Sequence, residues 1–474
     1  MWIKPFQAAG EFYLYSAWSN TIHRTSARLY RYFADHAAPG GHALQSRVAA
    51  ELGLLPDHPV PFEVFPEAMI RAGMARLRRE GPVRLVMTVT EACNFRCRYC
   101  VFSGAYPCAR RHGRHDIPVE TALKALRWYF GFSRRRYGIQ FYGGEPLLQR
   151  RLVGSLVEEA RKLAPPGARL RFGVTTNGWL LDDAAIAFLA ENAFDLAVSL
   201  DGPASVHDRY RRTLSGRPTF RRVWNRVRRI RELYPEYFAK QVTLLMTLAP
   251  PGRVPEIVKF YRQHPDVFAG KVPGLITLND APPELYEALG VEPGRERVDL
   301  MELRERYHEG LANGGNPDGL SRAACDAAMR MLARRSMTSP PVLTIAAGQC
   351  VPGVRCHVAA DGALHMCERA DANLPIGHVD SGFDEGKIEG LLRSFSKLVR
   401  AQCRDCWAIR LCRRCMADCA GGASLSPDRL AAICAGRRQS LERDLIDYCR
   451  ARSRDDHCFD GLAVDQDEPD DPAD

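Results

Sequence analysis

The stretch "VRLVMTVTEACNFRCRYC", residues 83–100, runs from an apolar segment straight into Cys93, Cys97 and Cys100, spaced C-x3-C-x2-C. The apolar and β-branched residues of 84–90 favour an extended, largely buried strand. Thiols placed directly behind a strand stand in the loop at its C-terminal end. Three is an awkward number, one short of a closed four-ligand zinc site and one too many for a disulfide. It suits a [4Fe–4S] cluster that leaves one iron for a ligand the chain does not supply.

Working outward, "GIQFY" (138–142), "RLRFGVTT" (169–176), "LAVSL" (196–200) and "QVTLLMTL" (241–248) read as further strands. Amphipathic stretches at 119–133, 149–163, 182–192 and 218–234 read as helices between them. Alternation of this kind predicts an α/β fold with a parallel sheet and crossover helices. In such folds the chemistry sits in loops at the C-terminal ends of the strands. "GGEP" (143–146), "TTNG" (175–178) and "SLDGP" (199–203) follow the next three strands, so four loops converge on one rim.

With 474 residues the chain exceeds one ordinary domain. No apolar run approaches the ~20 residues of a membrane span, and the start "MWIKPFQAAGEFYLYSAW" lacks a signal-peptide core, so a cytoplasmic protein without a membrane partner is expected. Sixteen cysteines are many for a reducing compartment, where they serve metal or redox chemistry more often than disulfides. The net charge of +10 lies in arginine runs such as "RRVWNRVRRIR" (221–231), interrupted by apolar residues at helical spacing. These read as solvated helix faces rather than a nucleic-acid surface.

The remaining cysteines form a second constellation. Cys350, Cys356 and Cys367 come first, with Gly362 five residues before Cys367; "CRDCWAIRLCRRC" then supplies Cys403, Cys406, Cys412 and Cys415, and Cys419 and Cys434 follow. C-x2-C knuckles suit zinc as well as iron–sulfur clusters.

"CNFRCRYC" resembles the signature of radical S-adenosylmethionine (SAM) enzymes, with Tyr99 at the aromatic position. The resemblance implies a partial (β/α)6 barrel in which SAM chelates the open iron of a [4Fe–4S] cluster held by Cys93, Cys97 and Cys100. It implies SAM contacts from Gly143, Gly144 and Glu145, the last taking the SAM ammonium, from Ser199 and Arg211, and from Asn177 toward the ribose. Arg209 and Arg212 are near alternatives to Arg211.

The later cysteines resemble the SPASM extension of the same enzymes. By that resemblance one auxiliary [4Fe–4S] cluster takes Cys350, Cys356, Cys367 and Cys415, with Cys419 as the alternative to Cys415, and a second takes Cys403, Cys406, Cys412 and Cys434. The spacing Cys412-x2-Cys415 departs from the family's C-x3-C.

The expected organisation is a small winged-helix-like α+β domain for leader-peptide recognition (1–80), a radical SAM core (81–290), a helical bridge (291–345), a SPASM domain (346–450) and an acidic disordered tail (451–474). "YCVFSGAYPCARRH" (99–112) resembles maturases of ribosomally made peptides. That implies a precursor peptide with a leader as substrate, side-chain crosslinking (thioether or similar) as the reaction, and ferredoxin or flavodoxin as electron donor. The alternatives are a sulfatase-maturase-like oxidase that makes formylglycine, with Glu368 where that family has an Asp base, and a peptide epimerase.

Overall fold

The computed structural model describes residues 2–35, 42–56, 60–106, 110–278, 283–292, 298–314, 316–340, 342–344 and 351–462. Cys108, Cys350 and the second half of the expected acidic tail, 463–474, lie outside the described residues.

Strands β1 (Ile3–Ala8), β2 (Glu11–Ser16) and β3 (Thr21–Thr25) form an antiparallel meander. Ala9 and Gly10, at φ 50° and 79°, make the β1–β2 turn, a two-residue geometry whose twist matches paired strands. Asn20, at φ 57°, makes the β2–β3 turn, and helix Ala27–Asp35 follows.

This small sheet is docked, not merely tethered. Tyr15 stands edge-on to Trp407 with centroids 6.2 Å apart, and Trp2 Nε1 donates to Arg404 O at 2.7 Å. Arg410 Nη1 donates to Trp18 O (2.9 Å) and Thr338 O (3.0 Å), and Nη2 donates to Ser336 O (3.1 Å). Helix Pro427–Arg452 packs against β1 and puts Leu441, Leu445 and Tyr448 into one core with Phe6 and Tyr15.

The second sheet has ten strands. Six run parallel: β4 (Arg84–Thr90), β5 (Arg136–Gly143), β6 (Arg169–Thr176), β7 (Asp195–Ser199), β8 (Val242–Leu248) and β9 (Gly274–Thr277). Five of them are the strands read from the sequence; β9 is too short to show there. On β4, Leu85, Met87 and Val89 face the helix layer, in one core with Ala122, Ala125, Leu126 and Tyr129.

The crossover helices are Val119–Phe130, Arg150–Leu163, Asp183–Glu191, Phe220–Leu233 and Val254–Gln263. Val223, Trp224, Val227 and Ile230 line the buried stripe of Phe220–Leu233, each worth about 1.5–3 kcal/mol of apolar burial. Arg221, Arg222 and Arg228 stand on its exposed face, and Arg229 pairs with Asp183 at 2.7 Å.

β10 (Arg355–Val358) pairs parallel with β4, and β11 (Ala363–His365), β12 (Gly377–His378) and β13 (Gly382–Phe383) continue the sheet antiparallel. The boundary expected at 345/346 therefore separates segments that share one sheet. Among the described residues, no helix is long and apolar enough to cross a membrane.

Candidate functional site

The loop after β4 carries Cys93, Cys97 and Cys100, and the loops after β5, β6 and β7 are tied to it. Gly144 N donates to Thr90 O and Glu145 N to Ala92 O, both at 2.8 Å. A Cβ on Gly143 would stand 2.1 Å from Thr90 O, and one on Gly144 2.1 Å from Ala92 O. Gly143 also takes φ 136°, open to glycine at little cost. The glycine pair thus serves first to let β5 lie against the cysteine loop.

Glu145 differs from its expected role. It is fully buried, and its carboxylate accepts from Leu147 N (3.1 Å), Thr176 Oγ1 (2.6 Å) and Asn177 N (2.7 Å). Both oxygens are thus engaged in joining two loops. Asn177 differs likewise: Nδ2 donates to Asn94 Oδ1 at 2.7 Å and lies 3.8 Å from Cys93 Sγ, while Oδ1 accepts from Trp179 N. Its amide braces the cysteine loop rather than reaching for a ribose. Ser199 ends β7 nearly buried, and among the described residues its hydroxyl has no hydrogen-bond partner.

Arg211 is the buried arginine of its run; Arg209 stacks on Tyr210 and Arg212 binds Gly216 O. Arg211 Nε donates to Asp201 Oδ2 at 2.9 Å, and Nη1 stands 4.0 Å from Cys97 Sγ. Tyr99 donates its hydroxyl to the same Asp201 oxygen, and the Arg211 guanidinium lies over the Tyr99 ring. Burial works against the Arg211 charge, but Asp201, Tyr99 and Cys97 together outweigh it and hold the guanidinium well above its usual pKa.

Asp201 and His207 are site residues that sequence reasoning passed over, since "LDGP" reads as a turn. Asp201 N donates to His207 Nδ1 (3.3 Å), so that nitrogen is an acceptor; Nε2 then carries the proton toward Thr219 Oγ1 (3.1 Å), which donates to Arg211 O. The imidazole is neutral, and burial lowers its pKa to about 4.

Among the three loop thiols, Phe95 N donates to Cys93 Sγ and Phe102 N to Cys100 Sγ, both at 3.4 Å. Burial raises the Cys93 and Cys97 pKa values to about 12 and that of Cys100 to about 11, so the free thiols keep their protons. Such a donor set, thiols only with amides aimed at sulfur, fits a cluster whose iron displaces those protons. Among the described residues no three His, Cys, Asp or Glu groups are gathered for a single metal ion.

In the second constellation Cys403 is within electrostatic reach of Cys434, Cys406, Cys412 and Cys419. Arg369 stands within electrostatic reach of both Cys415 and Cys367. Cys356 is fully buried on β10, in the helix-side core. Glu368 Oε1 accepts from Arg355 Nη2 at 2.8 Å, while Oε2 is shut off from solvent with no hydrogen-bond partner among the described residues.

Residues 87–262 match the Radical SAM superfamily. Two Clostridium perfringens proteins named cysteine-type anaerobic sulfatase-maturating enzyme are similar to the chain. One matches at 25% identity over 238 residues, 48% of this chain and 61% of the relative. The other matches at 24% over 349 residues, 70% and 88% respectively. The chain thus spans about three fifths of the first relative's length. Among solved structures, anSMEcpe with bound AdoMet shares the fold at TM-score 0.58 and 20% identity, covering 81% of this chain and 96% of that one. The same enzyme with AdoMet and a Cp18Cys peptide aligns at TM-score 0.53 and 19% identity, covering 77% and 99%.

Proposed function

Residues 87–262 carry a radical SAM enzyme core, and from that premise we propose that the protein oxidises a side chain of a peptide or protein substrate. The observation that carries this reading is the junction of four loops around three half-buried thiols, with a second body of thiols on the same sheet and the helices behind it.

A [4Fe–4S] cluster with SAM, when bound, supplies a carbon-centred radical that abstracts an unactivated hydrogen. The chain's own residues do the rest. Cys93, Cys97 and Cys100 hold the cluster, and the Phe95 and Phe102 amides stabilise the charge on sulfur. Arg211, fixed by Asp201, offers its remaining N–H groups to the SAM carboxylate. Ser199 offers its hydroxyl to the ribose. Glu368, anchored through Oε1, receives a substrate proton on Oε2. Cys403, Cys406, Cys412 and Cys434 suit one auxiliary [4Fe–4S] cluster, and Cys367 with Cys415 suits part of another. Ferredoxin or flavodoxin is the electron partner.

The relatives' names favour conversion of a cysteine or serine to formylglycine, and Glu368 stands ready as the base. Crosslinking of a precursor peptide is the second reading. It is favoured by β3, an edge strand whose unpaired side suits addition of an extended leader.

The test is anaerobic reconstitution with iron, sulfide, SAM and a reductant, followed by mass spectrometry of a synthetic peptide. Exchange of sulfur for oxygen with loss of two hydrogens supports formylglycine formation from cysteine. Loss of two hydrogens without hydrolysis supports a crosslink. Absence of 5′-deoxyadenosine defeats both.

A further inference from the structure

We infer that the outer face of the three-cysteine loop is the docking surface for a small acidic one-electron carrier protein, centred on Leu214 and rimmed by Arg96, Arg98, Arg212 and Arg217. The inference rests on the radical SAM reading just given and supplies the surface for its electron partner.

The loop has two sides. Phe95 pairs antiparallel with Thr213. Arg96 N donates to Arg212 O at 2.8 Å, Leu214 N to Asn94 O at 2.9 Å and Arg98 N to Tyr210 O at 3.1 Å. A ribbon of this kind sends alternate side chains to opposite faces. Phe95, Cys97 and Tyr99 go inward, where Arg211 Nη1 stands 4.0 Å from Cys97 Sγ and Tyr99 meets Asp201. Arg96 and Arg98 go outward and are exposed, as are Arg212 and Arg217 on the other arm. Cys97 therefore stands one ribbon's thickness behind a cationic surface.

That surface carries charge with nothing to offset it. Arg96 and Arg212 follow the Phe95–Thr213 pair and face one another, and like charges so placed cost stability. Elsewhere exposed arginines find carboxylates: Arg150 pairs with Asp182 at 2.7 Å, Arg171 with Asp195 at 2.9 Å and Arg229 with Asp183 at 2.7 Å. Among the described residues, Arg96, Arg98, Arg212 and Arg217 have no ion-pair partner. The carboxylates of adjoining loops are engaged otherwise. Glu91 pairs with His115 at 3.1 Å, and Asp208 Oδ1 accepts from Thr219 N (2.7 Å) and Phe220 N (2.8 Å). Arg96 Nη1 and Arg212 Nη1 donate to backbone carbonyls, which steadies both guanidiniums without neutralising them.

Leu214 stands at the turn of this ribbon, 65% exposed. An apolar centre within a polar rim is the anatomy of a protein interface. Four unneutralised cations around it select an acidic partner, chiefly through the rate of encounter. Closeness to the thiol loop selects an electron carrier among acidic proteins, because electron transfer weakens steeply with distance. One electron leaves the reduced carrier, which is thereby oxidised, and enters the cluster held by Cys93, Cys97 and Cys100, which is thereby reduced; no bond forms or breaks.

The probes are a flavodoxin and a [2Fe–2S] ferredoxin, both acidic, titrated in oxidised form against the full chain reconstituted with iron and sulfide; the tighter binder identifies the carrier. Arg98→Glu combined with Arg217→Glu should keep wild-type iron per chain and weaken carrier binding about tenfold or more at low ionic strength. The difference should close at about 1 M salt, where charges are screened within ~3 Å. Leu214→Ser should weaken binding at low and high salt alike. The control is Arg135→Glu combined with Arg169→Glu, the same change of charge at the N-terminal end of β5 and β6, about 23 Å away along β5; its binding should stay close to wild type. SAM cleavage driven by the reduced carrier should slow in the Arg98/Arg217 variant, and SAM cleavage driven by dithionite should not. The inference is overturned if neither carrier binds the wild type, if the control weakens binding as much, or if the dithionite-driven rate falls with the carrier-driven one. None of these readouts needs a peptide, so a failed peptide oxidation is distinguishable from a failed docking surface.

Discussion

Placing one methyl group on Gly144 should dismantle the cluster loop without touching a ligand. In Gly144→Ala the new carbon would stand 2.1 Å from Ala92 O, 2.5 Å from Ala92 C and 2.8 Å from Glu91 O. Non-bonded atoms settle near ~3.5 Å, so the two backbones must part by about an ångström. Both are pinned, by Gly144 N to Thr90 O and by Glu145 N to Ala92 O, and Cys93 is the next residue. Overpacking of this kind costs about 1–3 kcal/mol, and moving a reacting constellation by ~1 Å costs about 100-fold in rate. Gly167→Ala is the control: φ is 80°, but nothing lies within 4 Å of the added carbon, so only backbone strain of about 1 kcal/mol is expected. The assay is iron per chain after reconstitution, with the rate of 5′-deoxyadenosine formation under reductant. Gly144→Ala should lose roughly a third of the iron and most of the rate, and Gly167→Ala neither. A Gly144→Ala protein with full iron and full rate refutes the seating argument.

Three further outcomes follow from the same geometry. Asp201→Asn leaves the Arg211 charge buried without its counter-ion and should destabilise the fold by about 3–5 kcal/mol, read as a lowered denaturant midpoint; an unchanged midpoint contradicts the pairing. His207 has a folded pKa of about 4 against an ordinary 6.5, so the unfolded chain takes up the proton first as pH falls. Its contribution is whole above pH 6.5 and is lost between 6.5 and 4, about 1 kcal/mol of it between pH 7.5 and 5.5. Urea unfolding should show that slope in the wild type and a shallower one in His207→Gln. Arg410→Ala removes one hydrogen bond between the cysteine-bearing segment and the N-terminal sheet, to Trp18 O, and two to Ser336 O and Thr338 O. It should weaken docking of the sheet by about 1 kcal/mol and speed proteolysis at residues 2–25, with SAM cleavage unaffected; equal proteolysis rates count against the docking.

Legibility differed by kind of residue. The strands after which the loops fall were visible because each is a run of apolar, β-branched residues, and 169–176 matches β6 end to end. The role of Asp201 was hidden, because an Asp before a Gly and a Pro looks like any turn. Spacing places the Glu145 carboxylate at the rim, whereas its donors, from residues 147, 176 and 177, come from loops far apart in sequence and were not legible there.

The sequence by itself determined the alternation of strand and helix, the three-thiol loop behind the first core strand, and the number of later cysteines. These are local properties, fixed by periodicity and by spacing along one chain. Only the tertiary structure decided which cysteines meet. Whether a strand residue points toward a cluster or into the helix layer depends on its register against a neighbour some 270 residues away. For Cys356 that neighbour is Leu85, which turns its thiol into the core.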